Sequence, residues 1–275
     1  MNLLNQKKLK KIANSIRIDI VNNSSRNKIP HLGSCLSVLD ILVYLYFYQT
    51  NLTKKSFNTN NRDKIVLSKG HSAPALFCVL KHKKLLPFDL EKEYQKISSF
   101  VGEHPPTPSE IYSVEAATGS LGHGFSMSIG MALSKKIKKY KSKVFCVVGD
   151  GEINEGVIWE GAMFASKQKL DNLFVFIDFN KWQATDRSIN VLDISNLNLK
   201  WNSFGWSSKI IDGHSFREID NAIKCIEKTK KPKVIICNTV KGKGISFMED
   251  DNNWHYRTPN KSELELAIQE LRDKF

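Results

Sequence analysis

The sequence predicts an α/β fold: a three-layer α-β-α arrangement around a mostly parallel central sheet. Three observations lead there. Short β-branched segments such as Lys143-Val-Phe-Cys-Val-Val148 and Lys233-Val-Ile-Ile-Cys-Asn238 show no polar alternation, which is the pattern of strands covered on both faces. Segments of helical periodicity separate them. The chain of 275 residues, 41% of them hydrophobic, is long enough to form one large core, and residues 1–275 are expected to be a single domain.

The elements follow in order. Leu9, Ile12, Ile16 and Ile20 recur at helical spacing, so the first helix is amphipathic. Ser37–Phe47 reads as a buried helix and Lys64–Ser68 as a short strand. His104-Pro-Pro-Thr-Pro108 is the one proline cluster; proline removes donors and fixes φ, so an extended loop is expected there. Leu121–Lys136 is a helix rich in Gly, Ser and Ala. Lys143–Val148 is a buried strand, Asn154–Lys167 a helix, and Asn172–Ile177 a second buried strand. Ser207–Ile211 is expected to be a third. Ser215-Phe-Arg-Glu218 has capping-box spacing and opens the next helix. Lys233–Asn238 is a fourth buried strand, and a charged helix over Ser262–Lys274 closes the chain. No internal repeat or low-complexity linker interrupts this order.

Composition narrows the function classes. The net charge of +13 admits nucleic acid, an anionic membrane surface or phosphorylated small molecules as partners. The lysines are spread over short clusters at Lys7–Lys11, Lys81–Lys84, Lys135–Lys143 and Lys228–Lys233, as on a solvated surface. No helix-turn-helix, zinc or RNA-binding signature stands out, so neither nucleic acid nor membrane is expected as a partner. The five cysteines form no C-x-x-C pair and several sit in apolar runs, which points to a reducing compartment. The N-terminus is not a secretory signal, and the longest apolar run, Ile41–Tyr48, is too short to span a bilayer. A soluble, cytoplasmic protein is expected.

In parallel sheets, ligands bind at the carboxyl ends of the strands. The strand ending at Val148 runs into Gly149-Asp150-Gly151-Glu152, where two glycines let the backbone turn and approach a ligand while the aspartate offers a hard oxygen. The next buried strand ends at Asp178-Phe-Asn180. Neighbouring parallel strands would set Asp150 and Asn180 side by side. One carboxylate and one amide oxygen make a partial shell for Mg²⁺, which fills its octahedron with water and phosphate oxygens, so the implied ligand is a diphosphate. A helix starting near Asn154 would add its N-terminal dipole.

The segment Gly149–Asn180 resembles the thiamine diphosphate motif, which opens on Gly-Asp-Gly and closes on Asn. Gly149-Asp-Gly-Glu-Ile-Asn-Glu-Gly156, Trp159-Glu160 and Leu170-Asp-Asn-Leu173 are similar to transketolase, especially the N-terminal subunit of split transketolases. Asn27-Lys-Ile-Pro-His31-Leu-Gly33, Val66-Leu-Ser-Lys-Gly-His71, Gly102-Glu-His104-Pro, Thr118-Gly-Ser-Leu-Gly-His-Gly124 and Trp254-His255 extend the likeness over nearly the whole chain. It implies thiamine diphosphate and Mg²⁺ as cofactors, with Asp150, Asn180 and the Trp182 carbonyl on the metal. Gly151 and Asn180 would meet the diphosphate, with His71 and His255 contacting it or the reacting centre. Gly119, Ser120 and Leu121 would pack on the cofactor. His31, His104 and His255 would line the substrate channel and assist proton transfers. Glu155 and Glu160 would lie in a subunit interface.

Other polar residues read more plainly. His82 is expected to face solvent, His214 to be structural in a turn before a capped helix, and His123 to be outside the catalytic set. Gly242 and Gly244, alternating with lysines, read as a flexible connection rather than a phosphate loop, because no Ser or Thr completes a P-loop pattern.

The resemblance also implies what a second polypeptide supplies. In that family the glutamate that activates the cofactor and the arginines that grip sugar phosphates belong to a pyrimidine-binding domain. The expectation is a chain inactive alone that joins a separately encoded C-terminal subunit, in an α2β2 hetero-oligomer acting on sugar phosphates. The alternatives are a subunit for a specialised sugar, an α-type subunit of a 2-oxo-acid dehydrogenase, a cofactor-binding pseudoenzyme, and a basic nucleic-acid-binding protein.

Overall fold

The computed structural model describes residues 1–274. Its helices and strands are α1 (Leu3–Asn27), α2 (Leu32–Tyr44), β1 (Lys64–Leu67), α3 (Ala73–His82), α4 (Leu90–Tyr94), α5 (His123–Ile137), β2 (Val144–Gly149), α6 (Gly156–Lys167), β3 (Leu173–Phe179), α7 (Ser188–Val191), α8 (Leu197–Ser203), β4 (Ser207–Asp212), α9 (Phe216–Ile226), β5 (Lys233–Asn238) and α10 (Lys261–Asp273). The strands form one parallel sheet in the order β1-β2-β3-β5-β4.

Successive side chains on a strand point to opposite faces, and here both faces are covered. Phe145, Val147, Phe174, Phe176, Ile235 and Cys237 enter one core with α1, α2, α3 and α9. Val144, Cys146, Val148, Val175, Ile177, Val234 and Ile236 enter the other with α5, α6 and α8. The missing alternation in the sequence is thus two apolar alternations superposed. All of the strand ends that matter for chemistry open on one edge of this sheet, because every strand runs the same way.

Several local expectations are corrected. β4 is an edge strand with Ile210 51% exposed, so it is not buried on both faces. Ser215 accepts the Glu218 N–H, but the Glu218 carboxylate turns back to the Asp212 N–H, so the reciprocal capping box does not form there. Complete boxes form instead at α10, between Asn260 and Glu263, and between Thr53 and Ser56 at the 3-10 turn that starts at Lys54. α5 begins at His123 rather than Leu121, because Gly122 at φ 83° caps it. α6 begins at Gly156, and Gly151–Asn154 form a separate 3-10 turn.

The buried helix is longer than its apolar run suggested. α2 continues through a π turn at Leu45–Gln49, and Leu32–Gln49 is long and apolar enough to cross a membrane by length and composition, yet 83% of it lies inside the fold. Its polar residues are paired internally: Ser37 donates to Asp178, and Asp40 accepts from Arg17. The sequence reading did not include α3, whose Pro74 occupies the first turn, where a missing N–H costs nothing.

Candidate active site

β2 and β3 are adjacent, with Gly149 opposite Asp178, so the residues just beyond them share one edge. Asp150 and Asn180, 2% and 4% exposed, line the same cleft of about 490 Å³. The Asp150 carboxylate accepts from Gly151 N (3.0 Å), Lys181 N (2.7 Å) and Ser188 Oγ (2.9 Å). Asn180 Oδ1 accepts from Trp182 N at 3.1 Å, and its amide donates to Ser37. Burial pushes the Asp150 carboxyl up to about 6, with Asp178 acting in the same direction against the Ser188 hydrogen bond. A buried carboxylate held only by neutral donors is a seat for a cation. Trp182 is more than a carbonyl: its indole donates to Asp250 (2.8 Å) and lies under the Arg187 guanidinium, which pairs with Asp250 through both nitrogens.

Behind this pair is positive charge that sequence reasoning missed. Lys69, 1% exposed, follows β1 and donates to Asp178 at 2.5 Å, while Ser37 and Thr239 fill the remaining positions on that carboxylate. Lys241, fully buried in the loop after β5, donates to Asn252 Oδ1 (2.6 Å) and lies 3.0 Å from His255 Nδ1. Burial, then the neighbouring Lys69 charge, lowers Lys241 to about 8. Glu152 is also interior and accepts from Ser68, from Gly122 N and from Gly149 N, so it fixes the Gly-Asp-Gly turn to the start of α5. The signal for both lysines was their position a few residues past a buried strand, a place where a charged side chain needs a reason.

Four of the seven histidines converge. The ring of His31 lies 5.0 Å from His255, 5.4 Å from His71 and 6.4 Å from His104. His31 adopts φ 64°, a left-handed conformation that costs a non-glycine residue energy, and its Nδ1 is buried without a hydrogen-bond partner among the described residues. Its backbone N–H donates to the His255 carbonyl at 2.7 Å, tying the two loops together. Burial lowers His31 to about 4, helped by His104 and Lys241, and lowers His255 to about 3, helped by Lys241. His71 is pushed well below its usual range for the same first reason. At neutral pH all three are uncharged imidazoles, able to donate and accept.

The chain matches the family model described as "Transketolase, thiamine diphosphate binding domain" over residues 8–272. It belongs to the transketolase N-terminal domain family. An apulose-4-phosphate transketolase subunit from Actinobacillus succinogenes is 37% identical over 272 residues, covering 98% of each chain. The 6-deoxy-6-sulfo-D-fructose transketolase subunit of a Clostridium species is 35% identical over 260 residues, 94% of each. In fold, the chain superposes on Pichia stipitis transketolase with a TM-score of 0.84 at 24% identity, covering 96% of this chain and 40% of that one.

In this transketolase-family chain the remaining sequence-predicted residues fall unevenly. Leu121, Gly151 and His71 line the cleft. Gly119 sits against His104, which a Cβ would approach to 3.2 Å, and Ser120 is exposed with its carbonyl turned to His123 N. Neither Gly119 nor Ser120 lines the cleft itself. His104 is exposed at the margin of the cluster, as are Glu155 and Glu160 on and near the start of α6. His82 does not simply face solvent; it is half-buried and bonds to Asp19 at 2.9 Å. The Gly242–Gly244 loop is not a free connection either, since a Cβ on Gly242 would lie 2.1 Å from the Met248 carbonyl.

The donor set suits Mg²⁺ with a diphosphate. Among the described residues there is no group of three or more His, Cys, Asp or Glu to build a protein-only metal cage. What the cleft offers is one buried carboxylate, one amide oxygen and nearby backbone carbonyls, the sparse oxygen shell that Mg²⁺ completes from phosphate and water.

Proposed function

We propose that this chain is the diphosphate-holding subunit of a two-subunit transketolase. It would use thiamine diphosphate and Mg²⁺ to move a two-carbon ketol unit from a ketose to an aldose. The observation that carries the reading is the placement of Asp150 and Asn180 past two adjacent parallel strands, in the cleft that His71 and His255 also line. Asp150, Asn180 and the Trp182 carbonyl would hold the metal, and Gly151, His71 and His255 would meet the diphosphate. Bound there, thiamine diphosphate supplies the electron sink for breaking and making the ketose carbon–carbon bond.

The chain's own residues account for positioning and proton movement. Lys69 and Lys241 provide buried positive charge that offsets the diphosphate. The Lys241 ammonium, a donor only, makes His255 Nδ1 an acceptor, so the ring proton of His255 resides on Nε2. His31, neutral and with an Nδ1 that has no partner among the described residues, can take or return a proton at a sugar hydroxyl in the same space.

The sugar is read from the relatives. Two relatives of matching length are named for apulose-4-phosphate and for 6-deoxy-6-sulfo-D-fructose, both carrying an anionic group distant from the carbonyl. This supports a specialised anionic sugar as substrate over a general ketol transfer. The same relatives, named as subunits, support a separately encoded partner; that it bears the pyrimidine-binding domain and that the assembly is α2β2 are part of the proposal. The direct test replaces Asp150 by Ala: thiamine diphosphate affinity that depends on Mg²⁺ should vanish while the circular dichroism spectrum stays native. Unaltered Mg²⁺-dependent binding in that variant would remove Asp150 from the metal.

A further inference from the structure

His214 lies at the far side of the β5 loop from the cleft, in the turn between β4 and α9. Its two ring nitrogens are both used. Nε2 accepts the Val240 backbone N–H at 2.9 Å, and Nδ1 lies 2.7 Å from Asp40 Oδ2. An imidazole nitrogen that accepts carries no proton, so the ring is the Nδ1–H tautomer and donates to the Asp40 carboxylate. Asp40 is 5% exposed and its other partner is Arg17, at 2.6 Å. Arg17 also donates through Nε to the Lys243 carbonyl at 3.1 Å.

Two arms from α1 and α2 therefore end on the same loop, on either side of Lys241. Val240, which His214 holds, directly precedes it, and Lys243 follows two residues later. Across the loop, Gly242 N donates to Gly33 O at 2.9 Å, and a Cβ on Gly33 would meet the Lys241 side chain at 2.9 Å. Lys241 has no room to reposition unless this anchoring changes. Its ammonium is the group that leaves the proton of His255 on Nε2.

We infer that His214, ordered by Asp40 and Arg17, is a positioning residue: by fixing the Val240 peptide it sets Lys241, and through Lys241 the tautomer of His255. A histidine serving only as glue between α2 and the β4–α9 turn would use its Asp40 bond for that purpose, and its second nitrogen would be free. Here the second nitrogen is committed to the peptide directly preceding Lys241. The functional weight of this arrangement rests on the proposed role of His255, but the arrangement itself does not.

The test is made on the full chain labelled uniformly with ¹⁵N, so that Val240 N and the histidine rings are both visible, the His255 ring signals being assigned by their loss in His255→Gln. In the unaltered chain a scalar coupling should be seen across the hydrogen bond between Val240 N and His214 Nε2, and His255 should be protonated on Nε2. His214→Gln keeps an acceptor oxygen near the place of Nε2, whereas His214→Asn keeps only a donor toward Asp40. The Gln variant should retain the His255 tautomer. The Asn variant should shift it toward Nδ1–H, as should Lys241→Met, with no further shift when those two are combined. Val175→Ala, which loosens the opposite core, should leave it unchanged.

Absence of the coupling in the unaltered chain would overturn the inference even if the Asn variant failed to fold. An unchanged His255 in the Asn variant, or an equal shift in the Gln or Val175→Ala variants, would overturn it as well. Thiamine diphosphate titrated into the unaltered chain assembled with a pyrimidine-binding subunit separates the two ideas. Absent binding there contradicts the proposed function and leaves the tautomer result standing.

Discussion

At the scale of single residues, the site is a set of groups held in states they would not choose in water. His255 is the clearest case. Its folded pKa, about 3, is below the unfolded value near 6.5, so the unfolded chain binds the proton first as pH falls. Stability contributed by keeping this ring neutral is whole above pH 6.5 and is lost progressively as pH drops from there toward 3. At pH 5 the loss should be on the order of 1 kcal/mol after allowance for solvent screening. His255→Gln should therefore flatten the fall in melting temperature between pH 7 and pH 5, and an identical pH profile in that variant would count against the burial argument. Asp150, Asn180, His31, His71 and His104 were legible in the sequence because glycine, proline or a strand end stood beside each, whereas His255, between Trp254 and Tyr256, was picked out only by the family resemblance. Lys69, Lys241 and Asp178 were passed over, although each stands at or just past a buried strand, because that position alone does not say which charges meet. Only the register of β1, β2, β3 and β5 brings those charges together.

At the scale of elements, the strands were the most legible feature and the helix starts the least. β2, β3 and β5 are read from uninterrupted apolar runs, which a doubly covered strand requires. β4, Ser207-Ser-Lys-Ile-Ile-Asp212, lacks such a run; its two serines and its lysine fit the edge position it occupies, and reading it as doubly buried overlooked them. Helix starts moved where a backbone conformation decided them, by two residues at α5 and α6 and by five at α2, which begins just after the left-handed His31. Gly122 is the instructive one: it caps α5 at φ 83°, and a Cβ there would lie 2.3 Å from Val157 Cγ1. Gly122→Ala should lower stability by at least about 1 kcal/mol, through the positive φ and the displaced α6 side chain together. A denaturant midpoint equal to that of the unaltered chain would show that α5 can start elsewhere. The carboxylate of Glu152, which also accepts the Gly122 N–H, links this cap to the Gly-Asp-Gly turn, so the same variant should weaken cofactor affinity as well.

At the scale of the whole molecule, the proposed reading makes this fold one half of a site. In that reading the cleft past β2 and β3, lined by Asp150, Asn180, His71 and His255, would take a metal and a diphosphate, with neutral imidazoles beside them for hydroxyl chemistry. Four arginines of the chain are committed elsewhere: Arg17 to Asp40, Arg62 to Glu115, Arg187 to Asp250 and Arg257 to Glu263. We propose that the groups gripping the sugar's anionic end come from the partner subunit. The chain alone should then show no ketol transfer from any ketose, and activity should appear on mixing with a pyrimidine-binding subunit; turnover by the purified chain would refute this. The most direct measurement of the central claim is calorimetry of thiamine diphosphate with the assembled pair, in Mg²⁺ and again in excess chelator. The expected result is saturable binding in Mg²⁺ that is lost in chelator and lost in Asp150→Ala. Binding heat that is absent in both conditions, or the same in both, would contradict it.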